Sequence, residues 1–319
     1  SDSKIAAFRL GQLSLHAHGD LGENLDAVTE IAFISSSSGV STAIARLFIG
    51  YRFDDMLRVR AGKWHKPIGY WNTTYTHGTL LQTTIETPLV VKIGSTIVPI
   101  HETGLWALGS YSTEPVRLDY GVTITNGQGG TSTTATGITG IGGSNDTADL
   151  NTDKAFLFHL RAHPSAIPAL GIGISGNFEG VQSFGSTSAL TLDVTQQIYA
   201  VDLQFINQQI EFLAEYFYFN DKDELGTAGT NKSAGSYVQF GYTIANRFIP
   251  YARYERISVR EADPIIKNGS MSDQQKALAG LRYNMTANSA LKGEFQHIDP
   301  TDPAKDSYWK YAAQWAFAF

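Results

Sequence analysis

The feature that most constrains this chain is a series of segments, each about ten residues long, in which apolar and polar residues alternate. Strand side chains point alternately to opposite faces, so each segment predicts a strand with one apolar and one polar face. No segment has the period of an amphipathic helix over three turns, and the chain is therefore predicted to be all-β. The fifteen predicted strands lie near residues 4–18, 25–36, 41–53, 57–70, 102–113, 116–127, 154–165, 169–180, 196–207, 209–220, 235–246, 248–260, 274–286, 290–299 and 307–319.

The connections between these segments alternate in length. Short links such as "LGEN", "DDM" and "TANS" are followed by long ones, among them 71–101, 128–153 and 221–234. Antiparallel barrels that cross a membrane have short turns at one end and long loops at the other. The pattern therefore predicts a single transmembrane antiparallel β-barrel domain over residues 1–319.

The last segment, "DSYWKYAAQWAFAF", indicates what surrounds the barrel. Its aromatic residues Trp309, Tyr311, Trp315, Phe317 and Phe319 fall on one face of a strand. Charged residues make up 17% of the chain, against roughly 25% in soluble domains. No run of about 18 apolar residues occurs, so a membrane-spanning helix is excluded. The aromatic face of this strand is predicted to contact lipid. The opposite face of the strand is predicted to line a water-filled interior.

The remaining composition excludes several classes of protein. A formal net charge of -6 argues against a nucleic-acid binder, which usually carries a basic surplus. The absence of cysteine removes disulfides, thiol nucleophiles and thiolate metal sites together. The start "SDSKIAAF" has no basic-then-apolar leader, so we expect any export signal to have been removed or to be left out of this sequence.

An odd number of strands is unusual for such a barrel. Single-chain bacterial barrels have even strand numbers, because an unpaired edge in lipid leaves backbone groups without hydrogen bonds. We expect about 16 strands, of which 15 are counted here. The sixteenth is expected to precede Ser1 or to come from another chain.

The hairpin "ARLFIGYRFDDMLRVRAGKW" shows how the faces sort. A three-residue turn at 54–56 places Arg52 opposite Arg58 and Gly50 opposite Arg60, with Arg46 opposite Trp64. A two-residue turn would expose the cations to lipid, at a cost of roughly 2–4 kcal/mol each at mid-membrane. The requirement that cations avoid the lipid-facing side therefore selects the register given by the three-residue turn. In this register the arginines point inward.

The same sorting gives a set of basic residues that are predicted to line the pore. They are Arg46, Arg52, Arg58, Arg60, Lys66, Arg117, Arg161, Arg253 and Arg282. Charged side chains around a water-filled constriction set ion preference through the local potential. The set predicts a mild anion preference; the alternative is that neighbouring acids neutralise it and that the arginines only brace the wall.

Two stretches resemble a known family. "LRVRAGKWHKPIGYW" (57–71) resembles a segment of the phosphate-selective porin-like proteins, and the terminal "WAFAF" is similar to the assembly signal of outer-membrane barrels. The resemblance implies a Gram-negative outer-membrane porin of the 16-stranded superfamily. It also implies that loop 71–101 folds inward as a constriction. The candidate residues on that loop are Trp71, Tyr75, His77, Glu86, Lys92 and His101.

This loop departs from both patterns that the resemblance suggests. General porins carry several acids there, whereas this loop has Glu86. Phosphate-selective porins place lysines on it, and this one has Lys92 alone. The substrate of either group therefore does not transfer to this chain.

Metal binding and catalysis are not predicted. His16 with His18, and His159 with His163, share strand faces at a spacing that suits one metal ion, but no third ligand is evident. No motif pairs a serine with a base or sets two acids together, so we expect no enzyme and no cofactor.

The predicted function is passive diffusion of small hydrophilic solutes or ions across the outer membrane of a Gram-negative bacterium. The expected partners are membrane lipid and lipopolysaccharide, two further copies in a homotrimer by porin analogy, and an envelope partner if one completes the barrel. Nucleic acid is not expected. The alternative is a barrel plugged by its own loops that serves as a scaffold, adhesin or partner-binding protein. An open lumen beside loop 71–101 would favour the channel.

Overall fold

The computed structural model describes residues 8, 10–36, 39–92, 97–134, 137–142, 149, 151–184, 189–226, 228–260, 262–265 and 272–319. Its strands are β1 (Gln12–Asp20), β2 (Leu25–Ser36), β3 (Gly39–Arg52), β4 (Arg58–His65), β5 (His101–Ser112), β6 (Val116–Thr125), β7 (Gly129–Thr134), β8 (Gly137–Gly142), β9 (Ala155–Pro164), β10 (Leu170–Phe184), β11 (Leu190–Ile206), β12 (Ile210–Asp223), β13 (Thr230–Tyr242), β14 (Phe248–Ser258), β15 (Gln274–Thr286), β16 (Ser289–Pro300) and β17 (Tyr308–Phe317). A short helix α1 (Trp71–Thr74) and a 3-10 turn (Leu89–Val91) lie between β4 and β5. None of the helices in the described part of the chain is long and apolar enough to cross a membrane.

Fifteen of these strands form one antiparallel wall in chain order. Each pairs with the next, except that β6 pairs with β9 and the hairpin β7–β8 is inserted between them. β1 pairs with β2 and β17 with β16, and among the described residues no pairing joins β1 to β17. Alternating direction makes β1 and β17 run the same way, so a further antiparallel strand would fit between them. The predicted sixteenth strand stays a prediction.

The wall has the inverted sidedness that the sequence predicts. On β12, the outward Tyr216 is 49% exposed while its neighbour Glu215 is 3% exposed. On β14, Tyr254 is exposed and Glu255 is buried. The terminal aromatic residues Trp309, Tyr311, Trp315, Phe317 and Phe319 are all exposed on β17 or just after it. This is the surface of a transmembrane barrel, in which apolar side chains face lipid.

Several strand ends differ from the prediction. β10 and β11 run to Phe184 and from Leu190, beyond the predicted 180 and 196. In these extensions Val181, Leu192 and Val194 are buried together on the inner face with Ile265. The polar-in pattern breaks there, which is why the alternation did not identify these extensions of the two strands. The predicted strand 57–70 ends earlier, at His65, shortly before Pro67, because proline has no backbone donor for a sheet ladder.

The main apolar core lies inside the barrel. We call residues 66–100, between β4 and β5, the inner segment. It contributes Ile68, Trp71, Tyr75, Leu89, Val90, Val91, Ile97 and Val98 to this core. The wall contributes Leu157, Ile198, Ala200, Leu213, Phe217, Phe219, Tyr237 and Ile257. The inner segment is therefore packed against the side of the barrel made by β9 and β11–β14.

Candidate functional site

Carboxylates of the wall hold the inner segment by its backbone. Trp71 donates its N–H to Glu215 Oε1 at 2.6 Å, and Tyr70 donates to the same oxygen at 3.1 Å. Further along, Ile85 N–H reaches Glu294 Oε2 at 2.9 Å and Leu89 N–H reaches Glu255 Oε2 at 2.5 Å. Three inward acids therefore attach the segment to the wall at three points.

Gly69 allows this close approach to Glu215. Its φ of 69° lies in the left-handed region, which side chains with a β-carbon rarely adopt. A β-carbon there would also lie 2.3 Å from Glu215 Oε2. The glycine therefore permits both the turn and the contact that begin the inner segment.

Basic residues of the wall bind the carbonyl groups of the same segment. Lys292 Nζ donates to the carbonyl oxygens of Gln82 at 2.7 Å and Thr84 at 3.1 Å. Arg282 reaches the Gln82 carbonyl at 2.9 Å, and Arg253 reaches that of Glu86 at 2.7 Å. Arg253 and Arg282, which were predicted to line the pore, therefore each donate to a carbonyl of the inner segment.

The side chains of the predicted constriction residues fall into two groups. Trp71 and Tyr75 are buried in the inner core, with the Arg253 guanidinium 5.5 Å from the Trp71 ring. Glu86 forms an ion pair with Lys310 of β17, and Lys92 is exposed. Burial by itself would raise the pKa of Glu86, but the hydrogen bond and charge of Lys310 lower it below its usual value.

The opposite side of the lumen holds a cavity of about 300 Å³. Its lining residues come from β1–β5 and the inner segment and are His18, Asp26, Val28, Arg46, Phe48, Arg58, Arg60, Trp64, His65, Thr73 and Trp106. The hairpin has the predicted register, with Arg52 opposite Arg58 and Gly50 opposite Arg60. The predicted pairing of Arg46 with Trp64 is not formed, because the ladder ends at Leu47 and Lys63.

In the described part of the chain, three arginines of this wall have no carboxylate at ion-pair distance, although Asp26 lines the same cavity. Arg52, Arg58 and Arg60, which we call the arginine cluster, have no carboxylate within 4.0 Å in the described residues. The Arg60 guanidinium lies 4.6 Å from the Phe48 ring and 5.0 Å from the Trp106 ring, which fixes its position. The cluster therefore gives the cavity a positive wall.

Five of the other six predicted basic residues pair with acids, and the sixth, Arg282, binds the Gln82 carbonyl instead. Arg46 Nε lies 2.5 Å from Glu30 Oε2. Lys66 is buried, 3.4 Å from Glu179 and 3.9 Å from Glu102. The remaining pairs are Arg117 with Asp119 at 3.1 Å, Arg161 with Asp202 at 2.8 Å and Arg253 with Glu255 at 2.8 Å. Of the predicted pore-lining arginines on β3 and β4, Arg46 is thus paired with an acid, while Arg52, Arg58 and Arg60 are not paired with any acid of the described ranges.

Three histidines meet where the inner segment leaves the wall. His65 ends β4, His101 begins β5 opposite it, and His77 lies on the inner segment. One imidazole nitrogen from each lies within 4.8 Å of the others. Burial lowers the pKa of His77 and favours its neutral ring. Sequence reasoning named His77 and His101 only as loop residues and did not single out His65.

The histidine pairs weighed from the sequence behave differently. His16 lies 3.7 Å from Glu30, and His163 lies 3.2 Å from Asp119. Within the described ranges, neither His16 with His18 nor His159 with His163 acquires the further ligands of a metal cluster. His65 and His101 face each other in the register of β4 and β5. The sequence does not show this register, because a long connection separates the two strands.

Comparison with solved structures identifies the class of fold. The outer membrane channel DcaP of Acinetobacter baumannii aligns with a TM-score of 0.60 and 14% identity over 97% of this chain and 84% of that one. An anion-selective porin from Comamonas acidovorans gives 0.57 and 13%, over 95% and 86%. The trimer form of OmpT, an outer membrane protein of Vibrio cholerae, gives 0.56 and 12%, also over 95% and 86%.

The chain is therefore an all-β, porin-type transmembrane barrel. No family model matches its sequence, and no curated protein matches it. At 12–14% identity the likeness concerns the fold.

Proposed function

We propose that this chain is a porin of the Gram-negative outer membrane that lets small hydrophilic solutes diffuse passively and favours anions. The observation that carries the proposal is the arginine cluster, which lies on one wall while the inner segment is attached to the other. In this proposal the passage runs between them, past Arg58 and Arg60, which line the cavity. One structural neighbour is described as anion-selective, which supports the same direction of selectivity.

The inner segment acts as the constriction in this proposal. Its attachment to Glu215, Glu255 and Glu294 keeps it inside the wall. A narrow passage with low-dielectric walls concentrates the field of nearby charges. Two or three uncompensated guanidinium groups in that passage raise the local concentration of anions over cations.

The outward face supports a membrane position and an oligomer. Its exposed apolar and aromatic side chains suit contact with lipid and, at the outer leaflet, with lipopolysaccharide. A structural neighbour is described in a trimer form, and we propose a homotrimer here. Light scattering of the detergent-solubilised protein, with the micelle mass subtracted, measures the number of copies directly; a monomer would remove this part of the proposal.

The decisive experiment is single-channel recording in a planar bilayer, with the reversal potential measured under a KCl gradient. Stepwise openings and an anion-directed reversal potential are expected. A cation-directed potential from an open channel would overturn the anion preference and leave the porin function standing.

The second candidate is a barrel closed by its inner segment that acts as a scaffold or binds an envelope partner. The observation that favours it is the apolar core inside the barrel, where Trp71, Val90 and Phe217 are buried together. Silence in the bilayer from protein with the heat-modifiable gel mobility of a folded barrel would select this candidate. Neither candidate assigns an enzymatic step to the chain.

A further inference from the structure

The three histidines at the root of the inner segment are arranged as metal ligands. Nε2 of His77 lies 3.2 Å from Nε2 of His101. In tetrahedral Zn²⁺ sites the Zn–N bonds are about 2.0–2.1 Å, which separates two ligand nitrogens by about 3.3 Å. The two rings thus already have the spacing of a shared ion, and His65 supplies a third nitrogen within 4.8 Å of both.

His65 supplies the observation that distinguishes this cluster from ordinary lumenal histidines. Its side chain is 7% exposed, and its Nε2 has no hydrogen-bond partner in the described part of the chain. The nearest acid, Glu30, keeps its Oε2 3.6 Å from that nitrogen. A buried polar atom without a partner is costly and calls for an explanation, of which an ion is one.

His77 is prepared for the same role by its own neighbours. Its φ of 61° is uncommon for a residue with a side chain, and backbone strain of this kind concentrates at functional sites. Its Nδ1 lies 2.5 Å from the amide of Gln12 on β1. If the Gln12 amide is turned by half a turn, its oxygen faces Nδ1–H, and that arrangement would hold the His77 tautomer that leaves Nε2 for a metal.

The charged groups around the three histidines are of both signs. Arg46 adds a positive charge, and its pairing with Glu30 at 2.5 Å offsets it. The same carboxylate lies within 3.7 Å of His16 and 3.6 Å of His65. Glu30 is therefore the anionic group that makes a divalent cation tolerable here.

We propose that His65, His77 and His101 bind one divalent transition-metal ion of the Zn²⁺ type, with a fourth coordination position open to the lumenal side. Three neutral imidazoles are the donor set of open zinc sites. His65 lines the lumenal cavity, which gives the ion a route to the site. Because His77 belongs to the inner segment and the other two belong to β4 and β5, the ion ties that segment to the wall.

The site is tested by metal titration of the purified full-length barrel in detergent after treatment with a chelator. Co²⁺ is the probe, since its visible absorption is intense in a four-coordinate site, and Zn²⁺ should displace it. We expect one equivalent to bind. His77→Gln and His101→Gln should each weaken binding by more than about tenfold, while the matched control His163→Gln, another lumenal histidine, should not change it.

Each outcome is decisive for the proposal. Wild-type protein that binds Co²⁺ no better than His77→Gln would overturn it, and so would an equal loss in His163→Gln. His77 lies outside the strands, so its variant tests the site even where His65→Gln fails to fold; heat-modifiable mobility verifies folding. The readout is independent of conductance, so the metal site and the porin function can fail separately.

Discussion

Trp71 and Glu215 are joined by a 2.6 Å hydrogen bond from a backbone N–H to a carboxylate, across 144 positions of the sequence. The same carboxylate oxygen accepts from the Tyr237 hydroxyl at 2.9 Å. One acid of β12 therefore organises the start of the inner segment and a neighbouring strand of the wall.

Replacing this acid should destabilise the inner segment. Glu215→Leu leaves the buried N–H of Trp71 and the hydroxyl of Tyr237 without their acceptor, at about 1–3 kcal/mol for each buried group. We expect a lower midpoint of thermal unfolding, followed by loss of heat-modifiable gel mobility. Glu114→Leu, in an exposed turn, is the matched control. Equal midpoints for the two variants would mean that Glu215 does not hold the segment.

The arginine cluster should govern ion preference. Arg58→Ser with Arg60→Ser should reduce the anion-to-cation permeability ratio by roughly twofold or more at low salt, where the Debye length is about 30 Å at 0.01 M. The effect should shrink at 1 M. Arg117→Ser removes an arginine that Asp119 already neutralises, and it should change the ratio less. A ratio that the double variant leaves unaltered would contradict the role of the cluster.

Lowering the pH should break the ion pair between Glu86 of the inner segment and Lys310 of β17. The pKa of Glu86 is lowered in the folded protein because Lys310 outweighs the effect of burial. A carboxyl group whose pKa is lower in the folded protein stabilises the fold at pH values above its pKa in the unfolded chain, which is about 4.3. This stabilisation is lost as the pH falls through the pKa of the folded protein. Conductance noise should therefore rise as the pH is lowered below about 4.3. Glu86→Gln should show that noise already at pH 7; quiet traces from this variant would argue against the contact.

Shortening the inner segment should widen the passage. Deletion of residues 78–95 removes the stretch whose carbonyls bind Lys292 and Arg282. We expect a higher single-channel conductance, because less of the lumen is filled. Arg282→Met with Lys292→Met loosens the same stretch without a deletion and should raise conductance in the same direction. Unchanged conductance in both proteins would place the conducting path elsewhere.

Local rules were enough to predict the wall. The register of Arg52 against Arg58 follows from a short turn and from the cost of cations in lipid, and the structure has it. The inward direction of Glu215 and Glu255 follows from simple alternation. Short-range geometry and sidedness therefore predicted most of the barrel.

The contacts inside the barrel could not be predicted from short-range geometry and alternation. Whether Arg253 faces water or the carbonyl of Glu86 depends on the path of a segment 167 positions away in sequence. The pairing of His65 with His101 likewise depends on a register set after a long connection. Neither a propensity nor a period encodes such contacts. They arise because an apolar segment buries itself against inward apolar residues such as Phe217 that the polar-in rule does not foresee.

The attachment of the inner segment to later strands bears on how the chain folds. Leu89 contacts Glu255 across 166 positions, and Ile85 contacts Glu294 across 209. The strands that enclose the segment thus come after it in the chain, and they have to wrap around it as the wall closes. Contacts of such long sequence separation are slow to form. The inner segment is therefore expected to be the surface onto which the later strands of the barrel dock. We expect this docking to be the rate-limiting step of folding.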